Sequence, residues 1–224
     1  SATAGDDWVR PALCEDALRL GRILAGLMAT EPEVHGLVAL MEIQASRLRA
    51  RVGPSGEPVL LLDQDRSRWD QLLIRRGLTA LARAEQLGDA RGPYTVQAAI
   101  AACHARAHVA DDTDWGRIAA LYEALVQLEP SPVVELNRAV AVAMAFGPAA
   151  GLEIVDTLTS ESSLDTYHLL PSVRGDFLKK LGRLDEAQAE FERAASLTRN
   201  ARERELLLDR AAACARELAG EQVS

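Results

Sequence analysis

An all-α fold of about ten stacked helices is what this 224-residue sequence predicts, and three observations predict it. Apolar residues recur at i, i+3, i+4 and i+7 through nearly the whole chain, the spacing of helices with one buried face. The composition is 48% hydrophobic but only 4% aromatic, with Ala and Leu dominant, which suits close-packed helices. The stretch from Phe177 to Ala195 reads as one helix–turn–helix unit: a first helix ends at Leu181, Gly182 makes the turn, and a second helix folds back. Ala187 and Ala194 let the two backbones approach, and Phe191 fills the remaining space.

The elements follow in order. Residues 8–29 form the first predicted helix, with Leu13, Ala17, Leu20, Leu24 and Leu27 along its apolar stripe. Glu31-Pro32 ends it, and a second helix covers about 33–50. Gly53, Pro54, Gly56 and Pro58 interrupt helical patterning over 51–64, where Val59–Leu62 reads as a short extended piece. A third helix is expected from near Asp65, with Trp69, Leu72, Leu73, Ala80, Leu81 and Ala84 on its buried side, ending at Gly88 and Gly92-Pro93. Further helices are predicted over 94–109, 114–129, 132–146, 148–158, 164–181, 184–198 and 200–219. The 114–129 segment is the cleanest amphipath, with Thr113 as its expected N-cap.

The pattern repeats. Tyr122 and Phe191 have the same knob character 69 residues apart, and Gly147 and Gly182 are turn glycines 35 apart. A period near 34 is that of tetratricopeptide (TPR) hairpins, so the expected architecture is a right-handed, TPR-like solenoid with an irregular insertion near 51–64 and a capping last helix. Residues 8–224 read as one such domain, and 1–7 as linker.

Composition bounds the function. The formal charge of −8 disfavours contact with phosphate backbones, so no direct nucleic-acid binding is expected. Cys14, Cys103 and Cys214 are odd in number and widely spaced, which disfavours disulfide scaffolding and suits a reducing cytoplasm. No apolar run approaches the roughly 20 residues needed to span a bilayer. No Gly-x-Ser-x-Gly elbow or phosphate-cradling glycine loop is present, so neither enzymatic activity nor a cofactor is expected.

Several segments occur in a fixed order: Leu61-Leu-Asp-Gln-Asp-Arg-Ser-Arg-Trp-Asp70, Gly92-Pro-Tyr-Thr-Val-Gln-Ala-Ala-Ile-Ala-Ala-Cys-His104, Thr113-Asp-Trp115, Pro130-Ser-Pro-Val-Val-Glu-Leu-Asn-Arg-Ala-Val-Ala-Val-Ala143 and Tyr167-His-Leu-Leu170. Together they resemble the TPR-like C-terminal extension of a group of extracytoplasmic-function (ECF) sigma factors, over about Leu13 to Leu218. The resemblance implies a regulatory tail whose partners would be the N-terminal sigma core of the same protein, RNA polymerase or a signalling protein. Promoter-reading helices are absent from this sequence, so DNA contacts are assigned to no residue here.

Candidate interaction residues fall into three groups. Asp63, Gln64, Arg66 and Trp69 enter a helix from an odd loop and could face a partner; the local alternative is that Asp63 or Asp65 caps the helix, Arg66 pairs with Asp70, and Trp69 is core. His104 and His108 stand one turn apart, a metal-like spacing, but the alternative is a buried His104 and a solvated His108. No metal is expected. Asn137 and Arg138 sit on an apolar helix, either as an anchor between hairpins or as a grip on a partner peptide in a concave groove. Tyr94, Gln97, Tyr167, His168 and Arg174 are candidates for lining the same groove. A free-standing TPR adaptor and, behind it, a small-molecule or metal sensor remain alternatives to the sigma-factor reading.

Overall fold

The computed structural model describes residues 11–54, 59–88 and 92–221. The expected linker, 1–7, and the start of the first helix, 8–10, lie outside them. Among the described residues there are ten α-helices and no strand: α1 Pro11–Leu27, α2 Pro32–Ser46, α3 Gln71–Gln86, α4 Pro93–Arg106, α5 Trp115–Leu128, α6 Pro132–Phe146, α7 Pro148–Leu158, α8 Leu169–Lys180, α9 Leu184–Leu197 and α10 Ala201–Glu221. The fold is all-α, as the periodicity requires. The chain divides into two compact units, Ser1–Glu129 and Pro130–Ser224.

In the first unit α2 is central, packing on α1, α3 and α4. Its Ala39 and Ile43 join Leu81 of α3 and Ala98, Ala101 and Ala102 of α4 in one apolar cluster. Small residues carry that contact: a Cβ on Gly77 of α3 would lie 2.6 Å from Ile43 Cγ1. A second cluster is formed by Ala50, Trp69 and Ile74. In the second unit α6 pairs with α7, α8 with α9, and α9 with α10. Phe177, Leu178, Ala187, Phe191 and Ala194 sit together in its core, and Phe191, Ala187 and Ala194 are fully buried. The knob and the two small positions therefore take the places the sequence assigns them. Gly182 turns the chain with φ of 75° and Gly147 with φ of 100°, conformations that glycine adopts without a Cβ clash.

Four local expectations are corrected. The third helix begins at Gln71, not near Asp65, because the Asp70 carboxylate accepts from Leu72 N (2.9 Å) and Leu73 N (3.1 Å) and caps it there. Of the expected extended piece over 59–62, Leu60 is extended and Val59 N donates to Arg51 O (2.9 Å), but Leu61–Asp63 is a 3₁₀ turn. Asp114, not Thr113, caps α5, accepting from Arg117 N at 2.9 Å. The first helix turns Leu18 and Gly21 towards the core, while Leu13, Ala17, Leu20 and Leu27 of the expected stripe are exposed.

Candidate functional site

The polar segment before α3 folds inward. Asp65 accepts from Ser67 N (2.9 Å) and Ser67 Oγ (2.6 Å), closing a tight turn, and those bonds hold its carboxyl below the usual carboxylate range. That turn directs Arg66 into the protein, where it is 7% exposed. Its Nη1 donates to His104 O (2.7 Å) and Ala107 O (3.0 Å), and its Nη2 to Thr113 Oγ1 (2.9 Å). The guanidinium thereby satisfies carbonyls left open where α4 ends and fixes the connection into α5. The expected Arg66–Asp70 pair is replaced: one group turns inward and the other caps α3.

Trp69, 3% exposed, is the centre of a cationic node. Arg66 lies 5.2 Å and Arg47 5.7 Å from its ring centroid, within cation–π range. Arg47 and Arg51 both donate to Gln44 Oε1, at 2.9 and 2.8 Å. His104 is 7% exposed, and its ring meets Trp115 edge-on with centroids 5.2 Å apart. Burial, then the charges of Arg47 and Arg66, push its pKa down to about 4. Burial, then the nearby Arg51 and Arg66, bring Arg47 down to about 10. At neutral pH the node therefore holds guanidinium charges beside a neutral imidazole. Burial also raises the Cys103 thiol, which keeps it protonated and unreactive.

Beside the node a cleft of about 640 Å³ opens between Leu48, Val52 and Trp69, with Arg49, Ser67, Arg68 and Asp70 on its polar side. Arg68 Nη2 donates to Arg49 O at 2.6 Å. Arg49 and Arg68 are exposed there, with the Asp70 carboxylate beside them.

The sequence-predicted residues thus separate. Arg66, Trp69 and His104 come together in the node. Gln64 is buried and donates to Val59 O at 3.1 Å, while Asp63 is exposed. Tyr94 is exposed and Gln97 half-buried on α4. In the second unit, Asn137 is exposed and so makes no buried anchor, and Arg138 forms a two-point pair with Glu135 (2.9 and 2.5 Å). His168 meets Glu203 Oε1 at 3.0 Å, and its ring lies 6.0 Å from that of Tyr167. Arg174 bridges Asp156 (2.8 Å) and Glu190 (2.7 Å), tying α7, α8 and α9. His108 is exposed, and no group of three or more metal-capable side chains occurs among the described residues.

Sequence reasoning missed Glu33. From α2 it accepts Tyr94 N (2.9 Å), Thr95 N (3.1 Å) and the Thr95 hydroxyl (2.5 Å), capping α4 from 60 residues away. The signal was the lack of a capping side chain at Gly92. Arg47 and Arg51 were missed as well, although Arg47-Leu-Arg-Ala-Arg51 stands out in an acidic chain.

Residues 1–85, which take in α1, α2 and most of α3, match the model of a family of unknown function, DUF6596. The chain is similar to an uncharacterized protein of Rhizobium meliloti (strain 1021), 47% identical over 203 residues; these are 91% of this chain and 47% of that protein. The chain thus spans about half the length of this relative. No solved structure matches it.

Proposed function

We propose that this chain is the regulatory, protein-binding domain of an ECF sigma factor, acting without catalysis in the cytoplasm. It modulates transcription initiation through contacts with its own sigma core, RNA polymerase or a signalling partner. The observation that carries this reading is the ordered set of segments from Leu61 to Leu170, a far more specific signal than helical repetition alone. Two further facts support it. The helical architecture is of the kind that displays surfaces, and the R. meliloti relative has more than half its length outside the aligned stretch, room enough for a separate sigma core.

The physical route is electrostatic. A sigma core presents basic surfaces to DNA, and a domain of net charge −8 can cover or orient them. Such an association weakens as salt rises; affinity unchanged between low and high salt removes this route. The deciding experiment is transcription from a cognate promoter with purified polymerase, comparing the parent sigma factor with a form truncated before Trp8. Activity lost on truncation and restored by this domain in trans identifies a positive, non-covalent partner of the core. Activity raised by truncation identifies an inhibitory cover, and unchanged activity refutes the proposal.

A further inference from the structure

A pocket of about 220 Å³ lies between α1 and α2, walled by Leu18, Met41, Ala45 and Leu48, with Gln44 and Arg51 as its hydrogen-bonding side chains. No carboxylate of the described residues lines it.

Arg51 stands in that lining with an incomplete set of partners. Its Nη2 donates to Gln44 Oε1 at 2.8 Å, and Arg47 Nη2 donates to the same oxygen at 2.9 Å. The Nε atoms of both arginines are buried and have no hydrogen-bond partner. Two guanidiniums therefore converge on one neutral oxygen, which offsets neither charge. Among the described residues no carboxylate pairs with either, and burial draws both pKa values down. A buried donor without an acceptor is costly, and a buried cation without a counter-charge more so.

Arg22 of α1 shows the complete arrangement. Its Nε and Nη2 grip Glu42 Oε1 and Oε2 of α2 at 2.7 and 3.1 Å. Arg51 has an amide oxygen on the Nη2 half of the same edge and nothing on the Nε half. A carboxylate satisfies both halves with two parallel, charge-assisted bonds, and the nearby Arg47 adds a second positive charge. The walls fix the rest of the ligand. An apolar cavity of about 150 Å³ holds benzene, so this one suits a body and head of about nine non-hydrogen atoms together.

We propose that this pocket binds a small organic carboxylate, an anionic head on a compact apolar body, with the Nε–Nη2 edge of Arg51 gripping the head in place of Gln44. Binding here requires no sigma core, so the site stands or falls separately from the regulatory role.

Titration of the full chain at pH 7.5 and constant ionic strength, followed by proton–nitrogen NMR, tests it. Benzoate, a carboxylate of the right size, is expected to saturate with a Kd on the order of 1 mM, moving the amide signals of Ala45, Leu48 and Arg51 first. Benzamide has the same shape without the charge and should bind about tenfold more weakly; acetate, a head without a body, should bind no better than benzamide. Arg51→Gln removes the advantage of benzoate over benzamide. Ala45→Phe fills the pocket, leaves the arginines in place and abolishes binding of both, with an unchanged helical circular dichroism spectrum. Benzoate that fails to saturate by about 20 mM overturns the proposal. So does equal affinity for benzoate and benzamide, benzoate binding untouched by Arg51→Gln, or signal shifts centred elsewhere in the chain.

Discussion

Acid titration of His104 gives the sharpest test of the node. In the folded protein its pKa is pushed down to about 4 from 6.5, first by burial and then by Arg47 and Arg66. The unfolded chain therefore binds a proton that the folded chain refuses between those two values, and stability falls as pH falls through that window. About a unit above pH 6.5 both states are neutral and the contribution is flat; about a unit below 4 both are protonated and the loss is complete. A displacement from 6.5 to about 4 amounts to about 3 kcal/mol. Roughly 1.4 kcal/mol of that is lost by pH 5.5 and roughly 2.5 by pH 4.5.

The assay is urea unfolding at pH 7.5, 6.5, 5.5 and 4.5 for the wild type and for His104→Gln, which fills similar space and cannot titrate. The stability difference between the two isolates this residue from the carboxylates that acid also titrates. It should move against the wild type by roughly 0.4 kcal/mol from pH 7.5 to 6.5 and then by the amounts above. A difference that stays flat to pH 4.5 refutes the electrostatic account. So does a wild type that gains on acidification, which places the imidazolium in a favourable site and the arginines away from it.

Other consequences are quicker to check. Arg66→Met leaves two carbonyls and the Thr113 hydroxyl without their donor and should cost about 3 kcal/mol in urea unfolding, with Arg66→Lys recovering little because an ammonium cannot span three acceptors. Glu33→Ala removes the cap of α4 and should cost about 1–2 kcal/mol by the same measurement, while Glu33→Gln keeps part of it. A Cβ on Gly175 would lie 2.7 Å from the Phe191 ring, so Gly175→Ala should destabilise by about 1–3 kcal/mol, whereas Asn137→Ala on the exposed face of α6 should stay within about 0.5 kcal/mol.

What the sequence made legible follows the range of the forces involved. Helix identity rests on local periodicity and on punctuation by Pro32, Pro132, Gly147 and Gly182, and all ten predicted helices are present. The failures lie where a distant group decides. The start of α3 depends on whether Arg66 remains available to Asp70, and Arg66 instead meets carbonyls some 40 residues along the chain. The cap of α4 comes from Glu33, invisible to any window around Gly92. The orientation of α1 could not be read because it has two apolar sides, and periodicity reports amphipathicity without saying which side meets its own chain. For Asn137 the sequence left an anchor and a partner grip open, and its exposure on α6 removes only the buried anchor.

The node also bears on how an acidic domain of this kind meets a partner. Arg47 and Arg51 direct their guanidiniums to a neutral amide, Arg66 and Arg68 to backbone carbonyls, and Arg204 to Ala195 O and Thr198 O. Arg47 and Arg66 lie over Trp69, and Arg49 and Arg68 line the cleft beside it together with the Asp70 carboxylate. Replacing Arg49 and Arg68 together with Gln keeps the fold, since both are exposed. Under the proposed docking of a basic sigma surface on a domain of net charge −8, losing these two positive charges should strengthen the attraction and keep its salt dependence.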